Sequence, residues 1–452
     1  MLNYIWLGLI VLAVVIGGCT DHLQAVADQS FEMAEYAVMK TALPLVGIMA
    51  LWLGVMRLAE RAGLVSTLAR ILRPVMIRLF PDVPADHPAM GSMLLNIAAG
   101  ILGLGNAGTP LGLRAMKDLE MLNPRPGTAT NAMCTFLAIN TSSIQLIPAT
   151  AIAILVANHS TNPTAIVGTS ILATTCAAVA GITAAKALAR LPMFRLKPVA
   201  PLPNIGRPAE TGVPASLAVA ESAVMNEAPA LEPLRWWGVV ALILFVLFFF
   251  YLFLRLAFPS AIGLTSTPAV NEASAFIRVV NAVSKLAIPF LLSAFPLYAA
   301  LRRVKVYEEF VEGAKEGFEV AIRIIPYLVA ILVAIGMFRA AGGIELLGNL
   351  LRPILSAIGF PPDLLPLVLM RPLSGSGTLG VFSELVKQCG PDSLVTRMAA
   401  TIYGSTETTF YVLAVYFGSV AVKRTRYAVL AGLTADLVGV VASVIICRMV
   451  FK

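Results

Sequence analysis

The sequence predicts an all-α polytopic membrane protein made of two inverted-topology repeats. Each repeat carries a re-entrant broken-helix hairpin, and the whole holds about nine transmembrane helices. Composition is the first sign: hydrophobic residues make up 58% of the 452 residues and charged residues 13%, against roughly 25% charged in a soluble domain. The mean hydropathy is +0.85. Internal repetition is the second. Pro44, Gly54, Arg57 and Ile71-Leu72-Arg73-Pro74 return as Pro326, Gly336, Arg339 and Leu350-Leu351-Arg352-Pro353, with equal Pro-to-Gly and Gly-to-Arg spacings. Paired interruptions are the third. Each copy reaches a glycine-broken apolar stretch, Gly105-Asn106-Ala107-Gly108-Thr109 or Ser374-Gly375-Ser376-Gly377-Thr378. Each then meets a polar break inside another apolar segment, Asn140-Thr141-Ser142-Ser143 or Gly404-Ser405-Thr406-Glu407. Broken segments at corresponding places in two membrane repeats point to a transporter-like site.

Apolar segments long enough to span run over residues 2–18, 36–58, 128–157, 164–189, 236–256, 277–300, 320–339, 395–422 and 427–450. Ile16-Gly17-Gly18-Cys19 loosely resembles a lipoprotein cleavage site. No Lys or Arg precedes it, so the first segment reads as an uncleaved span. From Arg190 to Pro233 eight prolines fall among Ala, Glu and Asn with no apolar period. Residues 190–234 therefore form a Pro-rich cytoplasmic linker between an N-terminal membrane half, 1–189, and a C-terminal half, 235–452.

Lys and Arg orient the spans. Arg190, Arg195, Lys197, Arg207 and Arg235 put the linker in the cytoplasm, as does the net charge of +8 read as loop charge. Residues 257–277 carry neither Lys nor Arg, and Arg302, Arg303 and Lys305 return the chain inside. The first glycine-broken segment is flanked on both sides by basic residues, so a hairpin entering and leaving on the cytoplasmic face suits it. The second has lighter flanks suited to the outer face. The N-terminus is then cytoplasmic, in a bacterial inner membrane, and the C-terminus outside. The amphipathic stretch 304–319, with Val306, Phe310, Val311 and Phe318 among acids and lysines, reads as an interfacial helix.

Broken backbone within hydrocarbon is tolerated only where it is buried in protein or lines a wet cavity. Thr109 before Pro110 looks like an N-cap with proline at N1, and Thr378 or Ser376 suits that part in the second copy. Such helix N-termini point free N–H groups at a carboxylate, a phosphate or the polar edge of a neutral solute. Candidate solute-binding residues at the hairpins are Asn106, Gly108, Thr109, Ser374, Ser376, Gly377 and Thr378. At the breaks they are Asn140, Ser142, Ser143 and Gln145, then Ser405, Thr406, Glu407 and Thr408. Glu407 is the only acid between Val395 and Val422, and an intramembrane carboxylate marks a functional candidate. Arg371 is its candidate charge partner. Small and hydroxylated residues at this density also serve close helix packing, and Glu407 with Arg371 also makes sense as a structural ion pair.

Several classes are excluded. Five cysteines without a CxxC pair and three separated histidines give no disulfide framework and no metal site. No nucleotide-binding, metalloprotease or serine-hydrolase motif occurs, so no enzyme is expected and no cofactor is implied.

The same residues carry a family resemblance. The first half resembles the spore maturation protein A family through Pro81-Asp82-Val83-Pro84-Ala85-Asp86-His87-Pro88, Gly103-Leu104-Gly105-Asn106-Ala107-Gly108-Thr109-Pro110 and Ala138-Ile139-Asn140-Thr141-Ser142-Ser143. The second half resembles the spore maturation protein B family through Phe310-Val311-Glu312-Gly313-Ala314-Lys315-Glu316-Gly317-Phe318, Met370-Arg371-Pro372-Leu373-Ser374-Gly375-Ser376-Gly377 and Tyr403-Gly404-Ser405-Thr406-Glu407-Thr408-Thr409. The likeness covers nearly everything but the linker and implies two such proteins fused to work as one unit. It implies a nucleoside-recognition, or gate, domain similar to parts of concentrative nucleoside transporters and of ferrous-iron transporter B. Ferrous iron itself fits poorly, because the site regions hold one thiol, Cys134, and no histidine.

The expected function is transporter-like: a midplane site for a small polar solute, nucleoside-like or envelope-related, with Na⁺ or proton coupling open. Membrane lipids are the expected partners, with a homo-oligomer open and no nucleic acid. The alternatives are a non-transporting scaffold or regulator of envelope or spore maturation, and lipid or ion translocation.

Overall fold

The computed structural model describes residues 2–103, 105–194, 234–263, 274–343, 346 and 359–451. For residues 2, 3, 5, 105–107, 262, 321 and 323 it describes the backbone only. The greater part of the expected linker (195–233) and the Leu350-Leu351-Arg352-Pro353 string lie outside the described residues.

Among the described residues the regular structure is helical. The first half runs α1 (Leu2–Cys19), α2 (Leu23–Glu35), α3 (Leu43–Arg61), α4 (Leu64–Leu79), α5 (Pro88–Leu102), α6 (Gly105–Met121), α7 (Asn131–Ser142), α8 (Ala149–Ala157) and α9 (Ile166–Arg190). The second half runs α10 (Trp236–Ala257), α11 (Ala275–Leu301), α12 (Val306–Ala340), α13 (Leu365–Met370), α14 (Gly375–Cys389), α15 (Leu394–Ser405), α16 (Thr409–Ser419) and α17 (Ala428–Val450). Elements α3 and α5 to α9 correspond in order to α12 and α13 to α17.

Six of the described helical runs are long and apolar enough to cross a membrane: Leu23–Arg61, Pro163–Arg190, Trp236–Ala257, Ala275–Leu301, Val306–Ala340 and Ala428–Val450. The chain is a multi-pass membrane protein. Two expected spans are not continuous helices. Residues 128–157 divide into α7 and α8, and 395–422 into α15 and α16. The expected span at 36–58 begins earlier, because a π-helical stretch, Tyr36–Ala42, joins α2 to α3 without interruption. Pro44 has no N–H for the carbonyl of Lys40, and the wider π turn absorbs that missing bond.

Corresponding long helices pack antiparallel. Near the end of α3, Arg57 bonds Glu309 near the start of α12 at 2.9 Å, and it also meets Glu316. Between these pairs the backbones nearly touch. A Cβ on Gly317 would lie 2.6 Å from Ala50 Cα, and one on Gly313 2.6 Å from the Leu53 carbonyl oxygen. This corrects the expected interfacial helix at 304–319: from Val306 it is the opening two fifths of the 35-residue helix α12, and its glycine face is a packing surface for α3. Helices α9 and α17 repeat the arrangement, with Gly181 late in α9 against Ala435 early in α17, and Ala177 against Gly439.

At one end of the bundle the Gly127 carbonyl, before α7, accepts the N–H groups of Lys423 and Arg424, after α16. At the other end Asp392, before α15, accepts from Ser160 and Thr161, after α8. The two broken helices α7–α8 and α15–α16 thus run in opposite directions through the same core. By contrast α10 packs on α11 through Phe245, Phe249 and Phe290 and turns most of its apolar surface outward, where acyl chains suit it.

Candidate functional site

Each repeat places a chain reversal beside a broken helix. In the first, α5 turns into α6 at Gly103, whose φ of +81° is the left-handed conformation glycine takes without a Cβ clash. The Leu146 N–H, in the break after α7, donates to the Ile101 carbonyl at 3.1 Å. In the second, α13 turns into α14 at residues 371–374, and the Phe410 N–H, just after the break, donates to the Pro372 carbonyl at 3.0 Å. Matching caps start the two inner helices: Thr130 accepts the Met133 N–H and Ser393 accepts the Thr396 N–H. The breaks meet each other where Glu407 N–H donates to the Thr141 carbonyl at 2.7 Å.

The helix starts at the reversals differ from expectation. α6 opens at Gly105, and Pro110 lies inside it. The Thr109-Pro110 signal is overridden because the turn at Gly103 already supplies the helical start. In the second repeat Ser374, not Ser376 or Thr378, is the N-cap and accepts the Gly377 N–H at 3.0 Å. Thr378 instead donates to the Ser374 carbonyl at 2.6 Å, while the Ser376 hydroxyl lies 3.4 Å from that of Ser374.

The candidate residues fall into three groups. Ser142 and Ser405 are fully buried and donate to carbonyls of their own helices, those of Ile139 and Ile402. Ser143 takes a left-handed φ of +39° at the end of α7. A second group is linked across the two halves, with Asn96 Oδ1 left unpaired. Asn96 donates to the Gly108 carbonyl at 2.8 Å and to the Tyr416 hydroxyl at 3.3 Å, and that hydroxyl donates to Asn140 at 3.4 Å. Thr109 stands half-buried beside this group. The Asn106 side chain lies outside the described residues.

The third group stays open. A cavity of about 190 Å³ is lined by Gln145, Arg371, Gly375, Tyr403 and Glu407, with Trp52 and the apolar Met49 and Leu53 at its side. Arg371 is 4% exposed. Its guanidinium lies over the Tyr403 ring, 4.8 Å from the centroid, and donates to the carbonyls of Tyr403 and Thr406. It bonds these carbonyls, not the Glu407 carboxylate, and its Nε has no partner. Glu407 Oε1 accepts the Thr408 N–H at 3.2 Å. The buried hydroxyls of Thr406 and Thr408 also lack partners. Unused hydrogen-bonding capacity remains in both halves, at Asn96 Oδ1 in the first and at Arg371, Thr406 and Thr408 in the second; of these, Arg371 lines the cavity.

Residues 42–158 and 321–423 match the nucleoside-recognition (gate) family. Spore maturation protein B of Bacillus subtilis (strain 168) is 47% identical over 175 residues, 39% of this chain and 98% of that protein. Spore maturation protein A of the same organism is 45% identical over 182 residues, 40% of this chain and 92% of that protein. The chain belongs to this gate-domain spore maturation family. No solved structure matches it. The two stretches of gate sequence hold equivalent parts, α3 to α8 in one repeat and the second half of α12 to α16 in the other.

The gate core also holds polar residues that sequence reasoning passes over. Asp436 of α17, 6% exposed, accepts from Thr409 at 2.6 Å. The signal was present: an acid inside an apolar 23-residue helix marks an inward-facing position. Asn96 and Trp52 gave no comparable signal, since each sits singly in an apolar stretch, and Tyr403 stands just ahead of the polar break without being polar enough to mark it.

Proposed function

We propose that this gate protein is transporter-like and holds a small polar solute where its two broken helices cross. The observation that carries the proposal is the cavity itself. A buried guanidinium and a carboxylate face one space with hydrogen-bonding capacity unspent, and such groups within a membrane bundle serve solute or ion passage. Gln145, Arg371 and Glu407, which line the cavity, would make the polar contacts, with Thr408 behind them.

The proposal includes inverted repeats, each with a re-entrant hairpin. Its support is the antiparallel packing of α3 on α12 and α9 on α17, and the antiparallel pairing of α5 with α6, where Ser92 meets Asp118 and Asn96 meets the Gly108 carbonyl. Arg125, Lys423 and Arg424 cluster at the end we assign to the cytoplasm of a bacterial inner membrane, and we assign the N-terminus to the same side. Alternating access would follow from one repeat rocking against the other.

The test is a thermal-stability screen of the full chain in detergent with nucleosides, nucleobases, amino acids and small carboxylic acids, across Na⁺ and pH, with Glu407→Gln in parallel. Saturable stabilisation that the variant loses is the expected result. If no compound changes the melting temperature of either protein, the solute site is refuted.

A further inference from the structure

The charges around the cavity restrict what it can hold. At the start of α14 the Ser374 hydroxyl takes up the Gly377 N–H, which leaves the N–H groups of Gly375 and Ser376, first in the helix, without intrahelical acceptors. Two further donors stand at the same place with nothing to bond. Arg371, nine-tenths buried and lining the cavity, has a free Nε, and Thr408, 2% exposed, has a free hydroxyl. That hydroxyl lies 3.1 Å from the point where a side chain on Gly375 would begin, so it stands directly behind a glycine that lines the cavity. Together they suit an anionic group.

At Glu407, on the same lining, the demand is opposite. Glu407 has one hydrogen bond, from the next residue's N–H, and Arg371 does not neutralise it directly. A net anion would meet the Glu407 charge, and a net cation the Arg371 charge. A neutral solute would leave both without a counter-charge in a medium that penalises this. Only a molecule with both signs, separated by a short spacer, matches the lining. The volume, about 190 Å³, falls below the range of roughly 300 Å³ upward that drug-sized ligands fill. Met49 and Leu53 offer an apolar body a place to lie.

We infer that the cavity takes a zwitterion, an α-amino acid with an apolar side chain, its carboxylate at the start of α14 beside Arg371 and Thr408 and its ammonium at Glu407. This rests on the solute site proposed above and narrows its ligand class away from nucleosides.

The test uses the full chain in detergent and reads melting temperature against concentration. The probes are the twenty protein amino acids singly, the N-acetyl and methyl-ester derivatives of whichever stabilises most, and uridine. An apolar amino acid should stabilise saturably, and both derivatives should need roughly tenfold higher concentration or more. In Glu407→Gln the order should change, the N-acetyl form equalling or passing the free amino acid, because the ammonium has lost its counter-charge. Uridine stabilising while every amino acid is silent would overturn the zwitterion and leave the solute site standing. So would an N-acetyl form as effective as its parent in the unaltered protein. Silence from all probes, uridine included, would overturn both.

Discussion

The Glu407 N–H donates to the Thr141 carbonyl at 2.7 Å, joining the broken helix of one repeat to the broken helix of the other. Both groups are spare because their helices stop there: Thr141 lies in the last turn of α7, and Glu407 follows the end of α15. A helix that ends within a membrane leaves such groups costly unless something pairs them. Each break here supplies the partner the other lacks. The crossing also holds the Glu407 backbone in place and leaves its carboxylate to the cavity.

The approach of α3 to α12 predicts a sharp dependence on side-chain volume. Gly317→Ala puts a methyl 2.6 Å from Ala50 Cα, and backbone cannot yield as a flexible side chain can. A loss of about 1–3 kcal/mol is expected, read as a lower melting temperature in detergent. Gly91→Ala, on a helix with open space at that point, should leave the melting temperature unchanged or raise it slightly, since alanine favours the helix. Equal behaviour of the two variants would mean that the helices do not pack this closely.

Arg339, the second repeat's counterpart of Arg57, pairs with Glu384 of its own half at 2.5 Å, with the glutamate side chain 6% exposed. Arg339→Ala leaves a buried carboxylate without its cation, at an expected cost of about 3–5 kcal/mol. Adding Glu384→Ala should recover part of that loss, and a double-mutant cycle measures how much. Simple additivity would show that the pair is not coupled in the folded protein.

Much of this architecture is legible in the chain, for identifiable reasons. The repeated Pro–Gly–Arg spacing marks two equivalent helices, since Gly54 and Gly336 both sit in contacts too close for a Cβ. The polar breaks are visible because Asn, Ser, Thr and Glu interrupt otherwise apolar runs. What misleads is a local signal overridden by a tertiary one. Thr109-Pro110 has the form of a helix start, yet the reversal at Gly103 sets the start at Gly105. Gly313 and Gly317 look like weak points in a surface helix, and only the neighbouring helix α3 reveals them as a packing face. Tyr403 shows no sign in sequence of lying under Arg371, because that contact crosses from one broken element to another.

Opposed repeats make a labelling prediction. The five cysteines are free, so a version with all five replaced by serine or alanine gives a clean background. Thr161→Cys, beside Asp392, and Pro126→Cys, beside the Gly127 contact with Arg424, lie at opposite ends of the bundle. A membrane-impermeant thiol reagent added to intact cells should label position 161, and label 126 only once the membrane is opened. Labelling of both from outside would break the proposed orientation.

The Asp392 contact predicts how stability responds to acid. Its carboxylate accepts the Thr161 N–H at 2.9 Å, the Thr161 hydroxyl at 2.9 Å and the Ser160 hydroxyl at 2.7 Å. These bonds, the backbone N–H foremost and with Arg397 adding attraction, hold its pKa below the ordinary aspartate value. The carboxyl protonates less readily folded than unfolded, so its contribution is fully present above the unfolded pKa, about 3.9. It is lost as pH falls through the lower folded value. Asp392→Asn should lower stability at neutral pH by about 1 kcal/mol, given the site's contact with solvent. The gap between variant and unaltered protein should narrow as pH drops below about 4. Melting curves of both proteins from pH 7 to pH 3 decide it. A gap that holds constant across that range would mean the loop after α8 is kept in place without the Asp392 charge.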